Sequence, residues 1–253
     1  MNPWHMAVVM ASAFVAGMMN SVAGGGTLVS FPSLLWIGLD AKAANVTSTV
    51  ALWPGSLGGF WGHRHDLAGT KRFALRLMPP SLLGGIAGAA LLLWTPSKVF
   101  DALVPWLLLT ATLLFAAKEP VARGIARVAG HERNARWWAG AICFQFLVGV
   151  YGGYFGAGIG ILMLAALGLL GLSDIHQMNG LKNLLALLIN GVAVVLFALK
   201  GNVVWIAAVV MAVAAILGGL VGAAVAHRLG KKMVNVVVIV IGLIVAAWFF
   251  LKH

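Results

Sequence analysis

The sequence predicts an all-α polytopic membrane protein made of two inverted repeats. Each repeat opens with a broken or re-entrant helix pair interrupted by glycines and continues with three spanning helices. Three observations carry that prediction: long charge-free runs, landmarks that recur in order between the halves, and a lopsided placement of lysine and arginine.

The charge-free runs come first. Of 253 residues, 62% are hydrophobic and 9% charged, with a mean hydropathy of +1.00, where a soluble domain carries about 25% charged residues. Asp, Glu, Lys and Arg are absent from 1–39, 43–63, 77–97, 102–117, 137–173, 183–199, 201–227 and 233–251. Most of these runs match the roughly 20 apolar residues that cross a bilayer as a helix. The net charge of +11 lies in short connections between runs. It therefore reads as an orientation signal and excludes a nucleic-acid reader, which needs a basic face on a folded domain. The single cysteine, Cys143, sits in an apolar run, permits no disulfide within the chain and reads as buried and inert. The N-terminal run is too long for a signal peptide and lacks its basic start, so it reads as a retained first span.

The repeat follows from aligning the halves. At an offset of 132, Gly17, Gly24 and Gly26 fall on Gly149, Gly156 and Gly158; at 134, Asn45 falls on Asn179, "GGIAGAA" on "GGLVGAA", and Lys98 on Lys232. Repeat 1 occupies 1–117, repeat 2 occupies 137–253, and 118–136 is a polar linker. The first run of each repeat, 1–39 or 137–173, would exceed 50 Å as one helix, against a hydrocarbon core of about 30 Å. Glycine interrupts both near the middle, so each run should be two helical pieces joined by an unwound turn. Pro32 suits a start or kink in the second piece.

Positive charge then selects the topology. If each long run enters and returns, Lys and Arg divide 13 to 4 between the two sides; if each crosses once, they divide 11 to 6. The first arrangement fits the positive-inside rule. It gives each repeat an odd number of crossings, which inverts the halves. It also places the linker in the cytoplasm and both termini outside a cell's inner membrane.

Unwound backbone in a bilayer must line a cavity or meet a ligand, because an unsatisfied N–H or C=O facing lipid costs several kcal/mol. Glycine lets successive N–H groups converge, and adjoining helix N-termini add partial positive charge. The two turns thus suit a small oxyanion, with Gly24, Gly25 and Gly26 beside Asn20, Ser21 and Thr27, and with Gly156, Ala157 and Gly158. Gly84, Gly85, Gly88, Gly218, Gly219 and Gly222 read instead as helix-packing positions. Asn45 and Ser48 start the span after the first turn; Asn179, Lys182 and Asn183 start the span after the second. Lys182 could hold an anion or snorkel to the interface. Asp174 and His176 suit a helix cap, and His176 is the proton-coupling candidate. Either Tyr151 or Tyr154 could turn a hydroxyl to the ligand, with Tyr151 the candidate.

No enzyme signature emerges. Ser56 has Pro54 where an intramembrane serine protease motif needs a glycine two residues before the serine, no metal-ligand spacing occurs, and "GAGIG" lacks the lysine of a phosphate loop. No cofactor is implied. The expected partners are a small anionic solute and the bilayer, and a homodimer is compatible with the sequence. A passive small-anion channel would place the same dipoles at a constriction, so carrier and channel both stay open at this point.

"NSVAGGGTLVSFPSLLWIGL" followed by "ANVTST", and "GGYFGAGIGILM" followed by "NGLKNLLALLIN", resemble the TauE/SafE family of membrane permeases. The resemblance covers most of the chain. It implies a secondary transporter of a sulfur-containing anion, such as sulfite or an organosulfonate, often working outward. It also implies a site formed by both Gly-rich turns with Asn45, Asn179 and Lys182. Where relatives often carry an acidic residue before each glycine motif, this chain has Asn20 and Gly152.

Overall fold

Glycine ends the first helix where the sequence predicts. In a computed structural model of the chain, α1 (Pro3–Val22) gives way to α2 (Thr27–Trp36) through Gly25, whose φ of 87° only glycine adopts cheaply. The structure describes residues 2–22, 25–62, 64–117, 135–172 and 174–225, with 239–240, 243–244 and 246–248 near the end. Gly24, most of the linker and most of the last expected span lie outside the described residues. The remaining helices are α3 (Ala41–Gly62), α4 (Lys71–Trp94), α5 (Ser97–Ala116), α6 (Ala135–Tyr154), α7 (Ile159–Leu169), α8 (Ile175–Lys200) and α9 (Trp205–Val225).

α2 folds back along α1. The Oγ atoms of Ser12 and Ser33 are 2.6 Å apart, and the rings of His5 and Trp36 lie 6.3 Å apart. The two helices thus lie side by side in opposite directions. Pro32 lies inside α2. Asp40 caps α3 by accepting from the Ala43 N–H at 3.0 Å, and Asp174 caps α8 by accepting from the His176 N–H at 2.8 Å. These two carboxylates are 134 residues apart, so both long helices start with the same device. Lys42 donates from Nζ to the carbonyls of Leu93 and Thr95, each at 2.8 Å. It thereby satisfies the C-terminal end of α4 with a positive charge.

The packing pairs helices from different halves. α4 lies along α6, and α1 lies along α9. Glycine permits both contacts: a Cβ on Gly84 would fall on the Phe146 carbonyl oxygen, and one on Gly218 would fall on that of Phe14. Likewise a Cβ on Gly149 would meet Ser81, and one on Gly17 would meet Ala215. At the offsets of 132 and 134 these are the same contacts made twice. Gly88 against Val150 extends the first pairing. This is close helix approach through small residues.

α3 and α8 run antiparallel through the centre. Thr47 Oγ1 accepts from the Val204 N–H at 3.1 Å, Trp53 Nε1 donates to the Leu187 carbonyl at 3.1 Å, and Gln177 Nε2 donates to the Ala68 carbonyl at 3.2 Å. The core holds Phe31, Phe100, Phe155 and Phe197, all fully buried, with Phe31 edge-on to Phe155 at 5.6 Å.

The outer surface is apolar. On α9, Ile206, Val209, Val213, Leu217 and Leu220 are all more than half exposed and recur at helical spacing. Such a stripe in water would be an aggregation surface, whereas in lipid it costs nothing. Among the described residues, α4, α5 and α8 are long and apolar enough to cross a membrane by length and composition. Trp4, Trp36, Trp61 and Trp94 are exposed near helix ends, where interfacial aromatic residues belong. One expectation fails: Cys143 is exposed, not buried. It stands on an outward face of α6, where an apolar solvent accepts a thiol as readily as a core does.

Candidate functional site

The two glycine turns differ, and one side chain makes the difference. At the first turn, the Gly26 N–H donates to Asn20 Oδ1 at 2.8 Å. Leu28 N–H then donates to the Gly25 carbonyl at 2.9 Å, and Val29 and Ser30 N–H donate to the Gly26 carbonyl at 3.0 and 3.1 Å. A side chain of α1 thus serves as an acceptor at the start of α2.

At the second turn, α6 ends with the amides of Phe155 and Gly156 on the Tyr151 carbonyl, at 2.9 and 3.2 Å, with Gly156 left-handed at φ 80°. Gly158 is also left-handed, φ 80° and ψ 2°, and caps the start of α7. The residue equivalent to Asn20 is Gly152, so no side chain reaches the Gly158 amide. Among the described residues, the N–H groups of Ala157, Gly158, Ile159 and Gly160 make no hydrogen bond. Ala157, Gly158 and Ile159 are buried. Buried backbone donors are nearly always paired, so four donors at a helix N-terminus without a partner among the described residues make this turn the candidate site for an acceptor.

Side chains from both halves surround this turn. Asn45 is fully buried; its Nδ2 donates to the Tyr154 carbonyl at 2.9 Å, while Oδ1 has no partner. Tyr151 donates its hydroxyl to the Ala157 carbonyl at 2.8 Å and braces the turn from inside. Tyr154 Oη lies 3.4 Å from Thr95 Oγ1. Lys182, half-buried, runs its stem past Gly160, where a Cβ would sit 3.3 Å from Cδ, and donates from Nζ to Asn179 Oδ1 at 3.1 Å. A Cβ on Gly156 would stand 3.7 Å from Asn190 Oδ1.

The other expected residues fall as follows. Ser48 is fully buried, its Oγ 2.6 Å from Ser30 Oγ. Thr27 opens α2, Ser21 lies in the last turn of α1, and Asn183 follows Lys182 half-buried on α8. His176 is exposed, and no contact joins it to either turn among the described residues. The sequence reading missed Ser12, Ser30 and Ser33, which with Ser48 tie α2 between α1 and α3. The three-residue spacing of Ser30 and Ser33 on a helix was the signal available. A groove of about 410 Å³ beside Tyr151 and Tyr154 is walled by Leu91, Val99, Leu103, Leu147 and Val150. It is too apolar to hold an anion.

Interrupted helices and an apolar exterior define a polytopic helical membrane protein. The chain belongs to the family described as "Sulfite exporter TauE/SafE", whose model matches residues 9–249. It is similar to a "Probable membrane transporter protein" of Haemophilus influenzae, 26% identical across 96% of this chain and 93% of that one. It is also similar to "Probable membrane transporter protein ORF9" of a Sinorhizobium species, 25% identical over 95% and 90%. A third relative is "Probable membrane transporter protein YfcA" of Escherichia coli K12, 24% identical over 97% and 90%. No solved structure matches the chain.

Proposed function

We propose that the protein is a secondary transporter, working outward, of a small sulfur-containing anion such as sulfite or an organosulfonate. The observation that carries this reading is the set of four N–H groups at residues 157–160, beside the Lys182 stem, that make no hydrogen bond among the described residues. A sulfite or sulfonate head presents several oxygens to such a set. Each charge-assisted hydrogen bond contributes roughly 1.5–3 kcal/mol, more effective here because the surroundings exclude water. No covalent chemistry is required; the family's printed description supplies the sulfur oxyanion.

Alternating access between inverted repeats supplies the mechanism. Its support is the antiparallel course of α3 and α8 and the doubled glycine contacts, in which each half packs against the other by the same residues. In such a machine the two halves need not be in the same state. The first turn is closed by Asn20, and the second is open. Exchange of roles would release Asn20 from Gly26 as the second turn closes. The 13-to-4 division of Lys and Arg supports a cytoplasmic linker and external termini.

Counterflow of radiolabelled sulfite into proteoliposomes tests the reading, with unlabelled sulfite, sulfoacetate, sulfate or chloride inside. Saturable uptake driven by an internal sulfur anion is the expected result. Uptake that ignores the internal anion and rises linearly with concentration would make the protein a channel. No uptake of any labelled sulfur anion would remove the substrate class.

A further inference from the structure

A cationic feature of the molecule lies away from the glycine turns, at the start of α4. Arg72 and Arg76 are exposed one turn apart and flank a groove of about 650 Å³ between α4 and α6. Its other walls are Leu75, Pro79, Trp138 and Ile142. Arg76 sits over the Trp138 ring, its Cζ 4.3 Å from the centroid, and the Phe73 ring packs against the same indole at 5.5 Å. The guanidinium is therefore pre-positioned and does not sweep freely. The segment 64–76 carries Arg64, Lys71, Arg72 and Arg76 against Asp66 alone.

The layout is graded. Charge sits at the end of the helices, and Leu75, Pro79 and Ile142, all exposed, continue inward along the apolar exterior. A soluble anion would use only the arginines and would leave the apolar walls bare. An anionic phospholipid uses both, its phosphate on the guanidinium groups and its chains along the walls. Arginines at the edge of hydrocarbon also need a counter-charge, which a headgroup supplies.

We infer that the groove between α4 and α6 binds the headgroup of an anionic phospholipid through Arg72 and Arg76, with Trp138 as its platform. The inference rests on the membrane placement of these helices and is independent of the transported solute.

The experiment is native mass spectrometry of the full chain from mild detergent, with added phosphatidylglycerol, phosphatidylcholine or inorganic phosphate. Wild type should retain phosphatidylglycerol over phosphatidylcholine. Retention should fall about fivefold for each arginine lost, in Arg72→Gln and in the double variant with Arg76→Gln. Trp138→Leu should weaken it too. Arg64→Gln is the control, because Arg64 also lies over a tryptophan, 4.7 Å from the Trp61 ring, but lines no such groove. Size-exclusion elution establishes folding; Arg72 makes no ring contact, so its single variant keeps the test available if the double variant misfolds. Equal retention by wild type and Arg72→Gln, equal loss in Arg64→Gln, or displacement of the lipid by inorganic phosphate would each overturn the inference. Transport is not read in this experiment, so failed counterflow leaves it standing.

Discussion

Replacing Gly158 by alanine separates the strain of the second turn from its use. The position is left-handed, φ 80° and ψ 2°, where an L side chain costs about 1–2 kcal/mol. Space is not the obstacle. A Cβ there would lie 3.5 Å from the Ala111 carbonyl oxygen and 3.7 and 3.9 Å from its Cα and Cβ, ordinary contacts. The variant therefore folds, with a midpoint lowered by about 2–8 °C for a chain of this size. Its backbone relieves the strain by rotating φ towards negative values, which swings the Gly158 and Ile159 N–H groups off a common target. Loss of one charge-assisted hydrogen bond, about 1.5–3 kcal/mol, raises the half-saturating concentration roughly 10- to 150-fold. Sulfite counterflow at graded concentrations, paired with a thermal melt, measures both. The comparator is Gly160→Ala, inside α7, where the neighbour is the flexible Lys182 stem at 3.3 Å. It keeps the turn's backbone angles, so its half-saturating concentration should stay within about twofold if the donors stay in place. A Gly158→Ala protein with the lowered midpoint and unchanged half-saturation would refute the reasoning: the turn would be strained but not used.

Other perturbations discriminate further. Lys182→Gln should raise the half-saturating concentration about 10-fold or more, while Lys182→Arg retains transport; unchanged uptake in the Gln variant would reduce the lysine to a partner of Asn179. Gly88→Leu places its side chain on the Val150 carbonyl and should abolish folded protein, whereas Gly58→Leu, with nothing within 4 Å, should be recovered at wild-type yield. Equal yields would mean that α4 and α6 are not closely packed. Asp40→Ala removes the cap of α3 and should cost about 1 kcal/mol, seen as a lower midpoint with transport intact. A transport defect without a change in midpoint would give that carboxylate a role beyond capping.

Much of this protein is written locally. Gly25 and Gly156 break their runs because glycine weakens helices and tolerates positive φ, and those preferences need no partner to express themselves. Asp40 and Asp174 cap helices by reaching two or three residues along the chain, so the reading of Asp174 as a cap followed from spacing alone. The family, too, was legible, since its glycine and asparagine landmarks lie in order along most of the chain. What the sequence could not decide were encounters between distant segments. Asn45 lodges against the Tyr154 carbonyl across 109 residues, and Lys182 turns to Asn179 rather than extending away from the bundle. Ser30 finds Ser48 only because α2 doubles back, and Cys143 meets the exterior because the small residues of α6 claim the inner face for α4. Whether the first turn is open or closed was equally invisible: the sequence places Asn20 before the glycines, but only the fold brings its Oδ1 to the Gly26 amide. Backbone preferences fix where helices stop. Which side of each helix is buried depends on the free energy of packing one half against the other, and a linear pattern in which nearly every residue is apolar carries little record of that choice.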